Sequence, residues 1–173
     1  NAKDLGVNTD AFKNGILQIP GVQSASYSFR VPGDQTASVQ SVMLDGKRSI
    51  NFQPFATDLD FLKTLDLKIK EGEWFTEESF KADTLVILNE SAVQALALDE
   101  PVGSVIGNYL RVVGVVEDFH FASLREEISP SLIRFSDKPP LAMAIKLSSA
   151  EVSFEQVASV WNTLTNIPME SKR

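Results

Sequence analysis

Arg111 to Leu124 read RVVGVVEDFHFASL. Four valines flank a glycine, an acidic pair follows, and the chain's one histidine stands between two phenylalanines. Val112, Val113, Val115 and Val116 have the composition of a strand buried on both faces. Gly114 inside that run marks a place where a neighbouring backbone comes close. Beyond the strand, Asp118 is expected to accept backbone N–H groups as the chain turns, in the manner of an Asx turn. Phe119 and Phe121 refill the core, and His120 serves as a hydrogen-bonding strut. Ser123 caps a helical turn from Leu124, with Glu126 as its capping-box partner.

The same residues admit a chemical reading. In an extended chain, residues i and i+2 share a face, so Asp118 could hold the His120 imidazole as a general base, the constellation of a hydrolase. No Gly-x-Ser-x-Gly elbow and no cysteine accompanies the pair. As a metal site, Glu117, Asp118 and His120 offer at most three ligands, and neighbours on a strand point to opposite faces. Structural zinc takes four ligands, mostly Cys or His, and a calcium loop needs clustered oxygens around a Gly turn. The structural reading is therefore preferred, with no catalytic, cofactor or metal residues expected.

Composition points the same way. The 173 residues suit one large domain or two small subdomains, and 43% hydrophobic with 23% charged residues is the balance of a folded domain. A net charge of −7 repels phosphate backbones, so nucleic-acid binding is not expected. The absence of cysteine rules out thiol catalysis, disulfides and Cys-based zinc sites. No Walker lysine motif occurs, so ATP hydrolysis by that route is excluded. The chain starts at Asn1 without a signal peptide or a membrane-length apolar run, and reads as a piece of a longer protein.

Working outward, Asn8-Thr9-Asp10 caps a short helix carrying Phe12, Ile16 and Ile19, which Pro20-Gly21 ends. Val22–Val31 predicts a strand with Ala25, Tyr27, Phe29 and Val31 on its inner face. Asp45-Gly46 between two strand-like runs is a hairpin signal. Thr57 or Asp58 caps a helix to Leu65. Leu67 and Ile69 alternate with lysines towards Glu71-Gly72, and Trp74-Phe75 anchor the following loop. Leu85–Leu88 predicts a buried strand. Asn89 then opens a helix to about Leu98, with Val93, Leu96 and Ala97 inward. Strands follow at Tyr109–Val116, Leu132–Phe135 and Leu141–Leu147. Ser153–Leu164 forms a closing helix with Phe154, Val157, Trp161 and Leu164 on one face. Strands in mixed order with few helices give an α+β fold.

Four segments, in order along the chain, carry a resemblance to a known family. Ile19-Pro20-Gly21-Val22 with Val31-Pro32-Gly33 is similar to a "PGV…PG" opening. Asp60-Phe61-Leu62-Lys63-Thr64-Leu65 with Leu67–Gly72 is similar to "DFLKTLGLKLKEGR". Leu88-Asn89-Glu90-Ser91-Ala92-Val93 with Pro101-Val102-Gly103 is similar to "LNEAAVKALG…PIGK". Val113–Leu124 is similar to "VGVVKDFHFxSL" and is the most specific of the four. The chain thus resembles the extracytoplasmic (MacB-like periplasmic core) domain of MacB/FtsX-type ABC transporter permeases, in particular those of Bacteroidetes. Asp66 and Ser104 depart from the Gly and Lys common there. Asn1–Asp10 leaves no room for the family's first apolar strand, and the chain ends near an expected closing strand.

The resemblance implies a periplasmic domain lying between transmembrane helices of an inner-membrane permease. Its parts would be a membrane-proximal, porter-like βαβ subdomain from residues 1–56 and 139–173, and an inserted sabre-like subdomain from 57–138. It implies a non-enzymatic role, without cofactor, in coupling the motion of a separate cytoplasmic ABC ATPase to efflux or to a periplasmic adaptor, outer-membrane or cell-wall-hydrolase partner. The isolated domain is expected to be monomeric. A small-molecule sensor domain is the alternative. The signature residues Pro20, Gly21, Asn89, Glu90, Gly103, Gly114, Val115, Val116, Asp118, Phe119, His120, Phe121, Ser123 and Leu124 are expected to be structural.

Overall fold

The structure, a computed structural model, describes residues 8–30, 39–44, 46, 48–81, 84–121, 127–136, 142–148 and 152–165. The strands in that range are β1 (Val22–Ser28), β2 (Gln40–Met43), β3 (Ser49–Thr57), β4 (Ile69–Gly72), β5 (Leu85–Asn89), β6 (Val105–Ile106), β7 (Leu110–Val116), β8 (Ser131–Phe135) and β9 (Ala142–Leu147). They join into one mixed sheet in the order β4-β7-β5-β8-β3-β1-β9, with β2 added to β3 and β6 to β7. The β3–β8 and β5–β7 pairs are parallel, and the others are antiparallel. The helices are α1 (Thr9–Leu17), α2 (Phe61–Thr64), α3 (Glu90–Leu96) and α4 (Phe154–Leu164), with a 3₁₀ turn at Glu77–Lys81. The fold is α+β, as the residue pattern predicts.

β7 owes its place to the valine run. Val112, Val115 and Val116 are buried between β4 and β5. A Cβ on Gly114 would lie 2.5 Å from the Glu73 carbonyl oxygen, so the strand passes this close to its neighbour because no side chain intervenes. Gly72, opposite, has φ +72° and no room for a Cβ against the Val113 oxygen. The hairpin is also found: β2 pairs with β3 from Gln40–Phe52 to Met43–Ser49, with Gly46 in the left-handed region and Leu44 N–H bonding Arg48 O.

The core has three parts. Phe52, Val86, Leu88, Ala92, Leu96, Leu110, Val112 and Leu132 pack under α3. Phe55, Phe61, Leu67, Phe75, Ile87, Val116, Phe121 and Ile133 fill the opposite face. Phe12, Ile16, Ile19 and Ala25 pack α1 on β1, joined by Val157, Val160 and Trp161 of α4. There the Phe12 and Trp161 rings meet edge to face, centroids 5.2 Å apart.

Several local expectations are corrected. In β1 it is Ser24, Ser26 and Ser28 that are buried with Ala25, while Phe29 is 47% exposed. The strand lies inside the sheet between β3 and β9, and α2 packs against it, so the serine side is covered as well. α2 starts at Phe61, later than a cap at Thr57 or Asp58 implies, because Thr57 still belongs to β3. In α3, Leu96 is buried and Val93 packs partly buried against the core, as expected, and Ala92 is buried with them. Ala97 adopts the left-handed conformation, is exposed, and ends the helix short of Leu98. On α4, Phe154 and Leu164 are exposed at the two ends, and no residue of that helix is fully buried. The expected residues Val31, Asp45 and Leu141, and the turn at Ser123, Leu124 and Glu126, lie outside the described residues.

Candidate functional site

Asp118 is where two of the sequence segments meet. It follows β7 directly, and its carboxylate reaches across to the start of α3. Oδ1 accepts from Asn89 Nδ2 at 2.7 Å and from the Ser91 backbone N–H at 2.9 Å, and Oδ2 accepts from the Ser91 hydroxyl at 2.6 Å. In return, the Asp118 N–H donates to Glu90 Oε2 at 3.1 Å. The expected Asx turn is thus replaced by a longer-range tie: Asp118 serves the first turn of α3 and not its own loop. Parallel pairing of β5 with β7, Asn89 opposite Val116, brings the ends of both strands to the same edge and makes this reach possible.

Asn89 extends the tie to a third segment. It is fully buried, and its Oδ1 caps α3 by accepting from Ala92 N–H at 3.0 Å. The same oxygen accepts from Ser131 N–H at 2.7 Å, and Nδ2 also donates to Ser129 O at 3.1 Å. One buried amide therefore pins α3, the approach to β8 and the end of β7, with both its oxygen and its nitrogen satisfied. Glu90 adds a surface arm by pairing with Lys70 of β4. The hydrogen bond from Lys70, then the one from Asp118 N–H, hold the Glu90 carboxyl below its ordinary range, and the same pairing raises Lys70.

The aromatic pair beside Asp118 behaves as expected. Phe121 is buried against Phe55 with ring centroids 4.5 Å apart, and Phe119, half-buried, meets the same ring at 5.7 Å. The Arg30 guanidinium lies 5.6 Å from the Phe55 centroid and 5.2 Å from that of Phe121, a stacking that links the end of β1 to this core. His120 does not act as a strut: it is exposed and has no hydrogen-bond partner among the described residues. Two phenylalanines on either side take the inward direction, and the alternation leaves the imidazole outside. Asp118 and His120 form no hydrogen-bonded pair, since the carboxylate is committed to α3. Among the described residues no group of three His, Asp or Glu side chains is placed to hold a metal ion.

The signature residues Pro20, Gly21 and Gly103 lie in turns. α1 already ends at Leu17, capped at Gln18, and Pro20-Gly21 forms the turn into β1, with Gly21 at φ +94° and its carbonyl accepting from both the N–H and the hydroxyl of Ser148 beyond β9. Gly103, at φ +89°, donates its N–H to Val112 O at 2.8 Å and leads into β6.

A second polar centre has no local sequence signal. Asp58, just past β3, accepts at Oδ1 from Ser26 Oγ (2.6 Å) and Asp60 N–H (3.1 Å), and at Oδ2 from Tyr27 N–H (2.9 Å) and Lys13 Nζ (2.7 Å). Lys13 also reaches Asp60 at 2.5 Å. Burial alone would lower the Lys13 ammonium; its bonds to Asp58 and Asp60 outweigh that and leave it raised. Tyr27 is pushed well above its usual value, by burial first and then by the charges of Asp10 and Asp58, and donates its hydroxyl to Thr9 O.

These arrangements join segments that lie far apart in the sequence. They belong to an α+β domain whose polar ties cross between distant strands and helices. Residues 5–159 match the MacB-like periplasmic core domain model, and the chain belongs to that family. It is a periplasmic core domain of a MacB-like ABC transporter permease, a kind of transporter that works with an ATPase. The fold is shared with the periplasmic region of MacB from Actinobacillus actinomycetemcomitans, at 18% identity and TM-score 0.56 over 91% of this chain and 75% of that one. It is shared too with the extracellular domain of the noncanonic ABC-type transporter YknZ from Gram-positive bacteria, at 13% identity and TM-score 0.61 over 91% and 82%. No curated protein matches the sequence. No helix among the described residues is long and apolar enough to cross a membrane.

Proposed function

We propose that this domain is a non-enzymatic coupling element. It carries motion generated by a cytoplasmic ATPase, received through membrane helices, to efflux or to a periplasmic adaptor, outer-membrane or cell-wall-hydrolase partner. The observation that supports this most is the Asp118–Asn89 tie. It bonds β7, α3, and the chain leading to β8 into one body, across segments up to 42 residues apart. Force applied to one of these segments is passed to the others, because buried, fully satisfied polar networks hold a single geometry.

Within that reading, the chain ends form a membrane-proximal part and the middle an inserted part, expected from the sequence at 1–56 with 139–173 and at 57–138. The pairing of β3 with β8 supports a seam at Ser28–Thr57, which would assign β2 and β3 to the inserted part. The test uses the full-length permease with its ATPase in proteoliposomes. One spin label is placed at Gln94→Cys, an exposed position on α3, and a second in a membrane helix. A distance that shifts between the nucleotide-free and ATP-bound states supports coupling, and an identical distance in both states overturns it.

A further inference from the structure

Very little backbone joins the β1–β9 end to the rest of the sheet. β1 and β3 share one register pair, Ser28 with Thr57. Beside it run two hydrogen bonds, Phe29 N–H to Ala56 O at 2.9 Å and Asp58 N–H to Tyr27 O at 3.1 Å. In contrast, β1 stays in register with β9 from Ser24 to Ser28, and β3 with β8 from Gln53 to Thr57. The buried side chains packed around α1 and β1 are also distinct from those of the other two core clusters. A sheet with so short a shared segment bends there unless side chains prevent it.

The side chains that cross this seam differ in what they can resist. Arg30 stacks on Phe55 and Phe121 only two residues past Ser28, close to the axis of any bend. Lys146 of β9 pairs with Asp66, whose side chain is 74% exposed, so this tie is weak. On its buried serine side β1 presents only small side chains, Ser24, Ser26 and Ser28, to α2, which interlock less than large ones would. Lys13 is different. It comes from the helical layer, above the strand, and forks between Asp58 and Asp60. Its side chain is 16% exposed and that of Asp58 is 19% exposed, so solvent screens this pair less than a surface pair. Asp58 is in turn held by Ser26 and Tyr27 of β1.

We propose that Lys13, Asp58 and Asp60 form a latch that fixes the angle between the α1–β1–β9–α4 end and the remainder of the sheet, with Ser28–Thr57 as the hinge it locks. The inference rests on the coupling role proposed above, because a domain that passes motion along needs its one narrow joint held. The latch lies off the strand axis, ties a helix to the turn after β3, and leaves one arm, Asp60, open to water.

The chain has no cysteine, so labels can be placed freely. Gln94→Cys and Ser159→Cys, both at exposed positions on α3 and α4, carry spin labels across the joint, and Gln23→Cys with Ser159→Cys serves as a control within one end. In the 173-residue chain, Lys13→Met is expected to widen the cross-joint distance distribution roughly twofold while leaving the control pair unchanged. An unchanged cross-joint distribution overturns the latch. If Lys13→Met also broadens the control pair, Asp60→Asn, which removes only the exposed arm, decides. Intermediate widening across the joint supports the latch, and none overturns it. No ATPase is present in this experiment, so its failure is distinguishable from failure of the coupling role, which is read by the ATP-dependent shift in the full transporter.

Discussion

Replacing Asp118 with alanine should weaken the domain far more than its half-exposed position suggests. Three hydrogen bonds end on its carboxylate, from Asn89 Nδ2 and from the N–H and hydroxyl of Ser91. Asn89 is fully buried and keeps Ser129 O as a partner for one of its amide hydrogens. The other is left without an acceptor, at a cost of about 1–2 kcal/mol. Ser91 is half-buried, so water replaces part of what its two bonds supplied, and their joint loss is about 1 kcal/mol. The sum is about 2–3 kcal/mol. With a urea slope of about 2 kcal/mol per M, the midpoint falls by about 1–1.5 M. Glu117→Ala, one residue earlier and exposed, is the control and should change stability by less than about 0.5 kcal/mol. An Asp118→Ala midpoint indistinguishable from that control would refute the reasoning, since it would mean that the tie to α3 carries no weight.

Other outcomes follow from the same geometry. Gly114→Ala drives a Cβ against the Glu73 backbone at 2.5 Å and should cost about 2–3 kcal/mol by thermal unfolding. Phe121→Ala removes a buried ring from the Phe55 cluster and should cost about 3–5 kcal/mol, with Phe119→Ala costing clearly less because that ring is half-buried. His120→Gln should leave the melting temperature unchanged, because an exposed imidazole without a described partner has nothing to lose. The raised Lys13 value means that the folded state holds this proton more tightly than the unfolded chain. Its contribution is then complete below the ordinary lysine value and is lost as pH rises through the raised one. Lys13→Met should accordingly flatten the alkaline side of a stability–pH profile. The lowered Glu90 value works in the opposite direction: its contribution is present above the ordinary carboxylate value and disappears as pH falls through the depressed one. Glu90→Gln should flatten the acid side.

The parts of the fold legible in the residues are those written by local rules. The valine run, the Asp-Gly hairpin, the Asn8 and Asn89 caps and the close approach at Gly114 all follow from period, turn chemistry and capping preference. Where local pattern failed, tertiary context decided. The alternation in β1 names an inner face correctly at Ala25, but cannot show that α2 will cover the serines opposite. Phe29 looks like core by alternation and ends up exposed because the strand stops at Ser28. The candidate site shows the same division. Asp118 is visible as the polar residue at a strand end. Its partners are not, because Ser91 and Asn89 lie 27 and 29 residues away and only the parallel β5–β7 pairing brings them close. The Lys13–Asp58 pair spans 45 residues and leaves no periodic trace. His120 draws attention as the lone histidine, yet its flanking phenylalanines are the more informative signal.

A double-mutant cycle between Asp118→Ala and Ser91→Ala tests most directly whether the Asp118–Phe119–His120 corner is a mechanical tie. Ser91 donates both its N–H and its hydroxyl to this carboxylate, and the hydroxyl bond, at 2.6 Å, is the one the alanine removes. The account predicts a coupling energy of about 0.5–1 kcal/mol from urea unfolding of the four proteins. A coupling energy near zero, with both single variants folded, would contradict it.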